Sequence, residues 1–257
     1  MRQFLSGTQH IAWIRAHTGT FWFASGDGPL VARLVTGIYE NEKFEAWRTL
    51  RQRIYVTRDV TPFEAALVRV CAKRVSVAAS VDDFSAAKSN AQRVVDVSSV
   101  SLADPVAARD VAHLVPHRLV DTLDTGSSEA LAAAMAVNQD FAATIPLDPD
   151  LFSSPRPVAA SLISSSGEWL AAAVNSNGVV RTRHAELNLV FNWFATSGRK
   201  IPAGAVLITS LSPCRMCAAL LAEMAEDGAD LVVWSQREDT GRLGRQNSLR
   251  RVTIFTP

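Results

Sequence analysis

An α/β protein of two domains is what this 257-residue sequence predicts. A carboxyl-terminal domain built on a mixed five-stranded sheet follows a smaller α+β domain. Three observations predict it. Residues 158–163 and 169–174 are apolar runs flanking SSSGE, the pattern of an antiparallel hairpin closed by a glycine-containing turn. Residues 206–209 and 231–234 are continuous apolar runs with a helical stretch between them, and strand, helix, strand of that length makes a right-handed parallel crossover. DTLDTGSS, residues 121–128, is short, polar and turn-forming, and places a boundary that leaves 1–125 as one domain and 126–257 as the other.

Taken in order, residues 10–38 read as strands: 10–16 and 20–24 are apolar or aromatic runs separated by HTG and ended by SGDGP. Residues 42–53 carry Phe44, Trp47, Leu50 and then Ile54 at helical spacing, a surface helix. Thr61, Pro62 and Glu64 make a helix start with a capping box, and Phe63, Ala66, Leu67 and Val70 would form its apolar face. Two β-branched runs follow at 74–79 and 93–100, and Asp104 with Pro105 begins a short helix ending near Pro116. His113 and His117 have i, i+4 spacing, but no acidic residue stands between them as in H-E-x-x-H and Pro116 interrupts the helix, so they read as solvated or packed. Helices and β-branched runs alternate in both domains, as a degenerate copy would leave them, yet no repeated motif joins the two.

Residues 128–144 form an alanine-rich helix, and Pro146, Pro149, Pro155 and Pro157 keep the next stretch extended. After the hairpin and the turn NSNG, a helix begins near His184 with Leu187, Val190, Phe191 and Phe194 on one face, and Gly198 stops it. The cysteine-bearing helix runs from Ser212 to about Asp227, and residues 251–255 make the last strand, of either direction.

Composition narrows the function classes. A formal charge of +1 gives no global attraction to nucleic acid or membrane, so any such binding is local. Three cysteines argue against a disulfide framework and for a reducing compartment. The first residues lack the apolar core of a signal peptide, and no run approaches a membrane span. The expectation is a soluble cytoplasmic protein without a membrane partner, with a homodimer left open.

The chemistry lies in HAE, residues 184–186, and SPCRMC, residues 212–217. With Ser212 as N-cap and Pro213 behind it, Cys214 and Cys217 fall in a first helical turn, where free N–H groups and the helix dipole favour thiolate, the metal-binding form. Two sulfurs and the His184 imidazole suit zinc, and three protein ligands leave one position for water, whose pKa zinc lowers towards about 7. Glu186 is then close enough to move a proton without being a ligand, provided that His184 sits at the edge of its helix. Taken alone, a Cys-x-x-Cys pair is a redox pair or half of a structural zinc site. Cys71 is either a fourth ligand, which would close the site, or a buried apolar residue.

HAE followed by PCRMC resembles the zinc-dependent nucleobase deaminase superfamily, with its H-x-E and P-C-x-x-C signature. PCRMCAALL followed by DLVVWSQREDTGRLGR is similar to the tRNA adenosine deaminase branch, over roughly residues 158–244. The resemblance implies a cytidine-deaminase-like three-layer α-β-α domain and a zinc-dependent hydrolase acting on the C–N bond of a cytosine- or adenine-type base, with release of ammonia. It implies His184, Cys214 and Cys217 as zinc ligands and Glu186 as the catalytic proton carrier. It also puts Asn175 against the base or sugar, with Asn177 or a simple turn as alternatives, and Ala185 as a backbone donor to the base. Arg181, Arg183, Arg237, Arg242 and Arg245 in two flanking loops favour a nucleotide or nucleic acid, since guanidinium suits phosphate; solvated surface arginines are the alternative. A free nucleoside or base deaminase and a catalytically silent zinc-stabilised binding module are the competing functions.

Overall fold

The structure, a computed structural model, describes residues 10–72, 74–77, 79–112, 114, 127–145, 156–178, 180–241, 244 and 248–255. It divides into two compact units, Met1–Leu102 and Ala103–Pro257. Most of the stretch 121–128, where the sequence places a boundary, lies outside the described residues, as do His113, His117, Arg242, Arg245 and three of the four prolines of 146–157.

The first unit runs β1 (Ile11–Arg15), β2 (Thr20–Ser25), α1 (Leu30–Glu42), α2 (Ala46–Thr49), β3 (Arg53–Val56), α3 (Pro62–Cys71), β4 (Arg74–Val77), α4 (Val81–Ser89) and β5 (Arg93–Asp96). Its sheet has the order β4-β3-β1-β2-β5. Strand alternation sends Ile11, Trp13, Phe21 and Phe23 to one face, where Phe84 of α4 packs edge-on to Trp13 at 5.5 Å. Two expectations are corrected here. Residues 30–42 form a buried helix rather than continuing the strands, because Leu30, Leu34 and Ile38 recur every fourth residue, a period masked by the intervening valines. The surface helix expected over 42–53 shrinks to α2 and a preceding turn of 3-10 helix; Phe44 is exposed and Arg53 already begins a strand. Helix α4 carries a signal that sequence reading passed over, the capping box of Ser80 with Asp83.

The second unit runs β6 (Ala108–Arg109), α5 (Ser128–Ala143), β7 (Ala159–Ile163), β8 (Trp169–Val174), α6 (Ala185–Ser197), β9 (Val206–Thr209), α7 (Arg215–Met224), β10 (Val232–Ser235) and β11 (Arg251–Ile254). The five anticipated strands are joined by the two-residue edge strand β6, giving the order β11-β10-β9-β7-β8-β6. Residues 105–109 therefore make a turn and this edge strand, not the start of a helix: Ala107 and Ala108 close the turn onto Asp104 and Pro105, and Ala108 then pairs with Ala173. On one face, Leu131, Ala134 and Met135 of α5 pack on Ile163, Val206, Ile208 and Val232. Asn138 fastens that helix by donating to the Ile208 carbonyl at 2.8 Å while accepting from Ser161. Alternation turns Leu162 and Leu207 the other way, and α6 packs against β7 and β8 there, so the unit has three layers.

Strand β10 is parallel to β9, as the crossover requires, and β11 is parallel to β10, with Val232 opposite Arg251. The chain leaving β10 must therefore travel back along the sheet after passing the carboxyl ends of the strands. That is where the two motifs gather.

Candidate metal centre

His184 is the N-cap of α6, in extended geometry at φ −72° and ψ 157°, so the departure from helical spacing that brings Glu186 near it is satisfied. Cys214 is the N-cap of α7 with Cys217 three residues on; Ser212 does not cap, because its hydroxyl accepts the Asp239 N–H at 2.7 Å. The helix starts one residue pair later than the sequence suggests, yet both sulfurs still meet the imidazole. Sγ of Cys214 lies 3.5 Å and Sγ of Cys217 3.4 Å from Nδ1 of His184, and the sulfurs are 3.4 Å apart. A tetrahedral zinc with ordinary bond lengths needs edges of about 3.5–3.8 Å between such ligands, so the donor set fits that ion closely. Among the described residues the cluster contains these three groups and no fourth. Cys71 lies on α3 of the first unit and donates its S–H to the Leu67 carbonyl.

Electrostatics follow from burial. A hydrogen bond from Cys217, with help from His184, pulls the Cys214 thiol down to about 4, whereas burial and the Cys214 charge push Cys217 well up. Glu186 is 4% exposed, and Cys217 Sγ approaches its Oε2 at 3.5 Å. Burial first, then the Cys214 charge, raises its carboxyl to about 7. Burial alone would lower His184; Cys214, Glu186 and Asp239 outweigh it and hold the imidazole above its ordinary value.

A cavity of about 380 Å³ opens over His184, Glu186 and Cys214. Asn175, Asn177 and Ala185 line it with Ser212, Asp239, Leu211, Val158 and Arg156. Asn175 donates to the Arg156 carbonyl and to Asn177, which leaves its own Oδ1 buried without a partner among the described residues. Ala185 is the first residue of α6, where N–H groups have no partner within the helix. Of the five arginines named from sequence, the three described ones, Arg181, Arg183 and Arg237, are not in the cavity lining. Arg183 turns to Asp104, 3.5 Å away, and Arg237 is exposed, contributing its carbonyl to the Ser212 N–H. Among the described residues the guanidinium-bearing one that lines the cavity is Arg156, which stands two residues before the hairpin in a proline-flanked stretch with no local signal of function.

Sequence reading also missed the supports. Asn188 donates to the Val174 carbonyl at 2.8 Å and to Ser176 at 3.0 Å, tying α6 to the loop that carries Asn175, and Ser176 in turn donates to Asp104. The spacing of Asn188 four residues after His184 was visible, but its partners are not.

A hairpin-led mixed sheet carries an imidazole at one helix N-terminus, two sulfurs at the next and a carboxylate beside them, the arrangement that an H-x-E and P-C-x-x-C pair of motifs would supply in a zinc-dependent deaminase. Residues 150–254 match the family model described as Bd3614-like deaminase, and all four groups fall inside that segment. No curated protein matches the chain in sequence. Solved structures similar to it include one from work on tRNA deaminases that edit A to I at the wobble position, 20% identical, covering 38% of this chain and 83% of its own, with a TM-score of 0.29. A dCMP deaminase from the cyanophage S-TIM5, in complex with dCMP and dUMP, is 19% identical and covers 51% of this chain and 99% of its own at a TM-score of 0.36. NE0047 in complex with 2,6-diaminopurine is 21% identical, covering 49% and 65%, at 0.33.

Proposed function

We propose that the second unit hydrolytically deaminates an amino-bearing nucleobase, carried in a nucleotide or nucleic acid, with a zinc ion held by His184, Cys214 and Cys217. The observation that carries this reading is the ligand triangle at the floor of a cavity, with the buried Glu186 carboxylate at its edge. A zinc ion held there would supply an acidified water, with a pKa of about 7. Glu186 is placed to take a proton from the attacking water and to pass protons to the ring nitrogen and the departing amine, so that water oxygen would replace nitrogen and ammonia leave. Asn175 Oδ1 is a ready acceptor for a sugar hydroxyl or base N–H, and the Ala185 N–H is a donor on the same wall. A volume of about 380 Å³ is at the small end for ligand sites but accommodates more than a base, and Arg156 at the wall supplies phosphate chemistry. A purely structural zinc site has no use for a buried carboxylate beside its ligands.

Bound zinc and ammonia release, measured on wild type and Glu186→Gln with cytidine, adenosine, guanine, dCMP, tRNA and single-stranded DNA, test the proposal. Expected is zinc in both proteins, turnover in the wild type on at least one phosphate-bearing substrate, and a loss of about 10²–10⁴-fold in the variant. Zinc retained by a wild type that releases no ammonia from any of them would leave a binding module instead.

A further inference from the structure

Six elements of the first unit match six of the second in order and length. β1 and β7 are five residues each, β2 and β8 six, α1 and α6 thirteen, β3 and β9 four, α3 and α7 ten, β4 and β10 four. Shared lengths are common among small α/β units; shared register is not. The strand order β4-β3-β1-β2 is that of β10-β9-β7-β8, with the same directions throughout. Ile11 faces Ser25 as Ala159 faces Val174, Ala12 faces Val56 as Ala160 faces Thr209, and Arg53 faces Arg74 as Val206 faces Val232.

Even the irregular hydrogen bonds coincide. The Thr57 N–H donates to the Ile11 carbonyl at 3.0 Å while Thr57 Oγ1 accepts the Ile11 N–H at 2.9 Å. Ser210 does the same with Ala159, at 3.0 and 3.2 Å. Neither strand geometry nor helix packing demands a hydroxyl at that bend in both places. Among the described residues the two units differ outside these elements: α2 stands in the first alone, β5 runs parallel beside β2 where β6 runs antiparallel beside β8, and β11 pairs with β10 where β4 has no such neighbour in its sheet.

The correspondence assigns each position of the centre a counterpart. Thr61 caps α3 as Cys214 caps α7, with φ of −70° and −69°. Three residues further on, Glu64 takes the place of Cys217 and is completely buried. Its Oε1 accepts the N–H of Val31, the second residue of α1 and thus the counterpart of Glu186, at 3.0 Å. Arg58, two residues past β3 as cavity-lining Leu211 is two past β9, donates to both oxygens of Glu64 at 2.8 and 2.9 Å. The N-cap of α1, matching His184, is Pro29, which has no donor to give a metal.

We infer that the amino-terminal unit is a second, closed copy of the same β-β-α-β-α-β module, with the Arg58–Glu64 ion pair standing where the other copy holds its ligand triangle. Among the described residues the one cluster able to hold a metal lies in the other copy. The part of this concerning metal rests on the catalytic reading above; the correspondence of the two units does not.

Zinc content of the purified full chain is the direct test. Cys214→Ser/Cys217→Ser is expected to hold no zinc, and one equivalent surviving in it would show an open site elsewhere and overturn the closed copy. In that background, Pro29→His, Arg58→Leu, Thr61→Cys and Glu64→Cys together rebuild the triangle in the first unit. One regained equivalent is expected; a folded variant, judged by circular dichroism, with none overturns the correspondence. If that variant does not fold, the reverse graft decides. Cys217→Glu alone buries an unpaired carboxylate and lowers the melting temperature, and adding Leu211→Arg is expected to recover most of the loss, as Arg58 serves Glu64. No recovery overturns the inference. A zinc-free wild type would instead sink the catalytic reading, while the graft, read as folding, would still judge the copy.

Discussion

Three thiols in this chain have three different environments, and their reactivity separates them. Burial pushes the Cys71 thiol up to about 12, while Cys214 is pulled down to about 4. In zinc-free protein, iodoacetamide should alkylate Cys214 first and leave Cys71 unmodified at neutral pH, and added zinc should protect Cys214; peptide mass spectrometry reads both. The raised Cys71 value also fixes a sign. An unfolded chain releases that proton near 9.0 and the folded one retains it to about 12, so stability falls as pH rises across this window. Cys71→Ala should flatten the alkaline slope of the melting temperature.

Among the elements, helix ends carry the most testable energetics. Gly198 closes α6 at φ +67° with open space around its Cα, so Gly198→Ala meets strain without a clash and should cost about 1 kcal/mol by urea unfolding. Thr61→Ala removes one half of the capping box of α3, again about 1 kcal/mol. Glu64→Ala goes further, because it strands the Arg58 guanidinium and the Val31 N–H together, and about 3–5 kcal/mol is expected. Equal losses for Thr61→Ala and Glu64→Ala would mean that Glu64 acts as a cap alone. These ends were legible beforehand where a motif marked them: T-P-F-E, HAE and Gly198 were read from sequence, whereas Pro29 at the start of α1 gave no such mark.

For the whole molecule, a metal that binds only the folded chain stabilises it by mass action. At free zinc one hundredfold above Kd this is about 2.7 kcal/mol, so a chelator should lower the melting temperature of wild type and leave Cys214→Ser unmoved. Among the described residues no helix is long and apolar enough to cross a membrane. The unit matched by the deaminase family model carries the His184, Cys214 and Cys217 cluster that could hold a metal, and on the inferred correspondence an ion pair stands at the equivalent positions of the other unit.

The sequence by itself determined the three described helices and five of the six described strands of the second unit, β6 being the exception, and the four side chains that gather at the candidate centre, because these depend on periodicity and on spacings of a few residues. His184, Glu186, Cys214 and Cys217 could be named without coordinates for that reason. Tertiary structure alone decided the direction of the last strand, the turn of Arg183 toward Asp104, the presence of Arg156 at the cavity and the burial of residues 30–42 as a helix. It alone decided the likeness of the two units as well. Register and hydrogen bonding between residues distant in the chain belong to the backbone, and that backbone is kept with Thr57 in place of Ser210 and Glu64 in place of Cys217; the letters that do coincide, such as Leu34 with Leu189 and Ala65, Ala66 and Leu67 with Ala218, Ala219 and Leu220, are common core residues that mark no repeat.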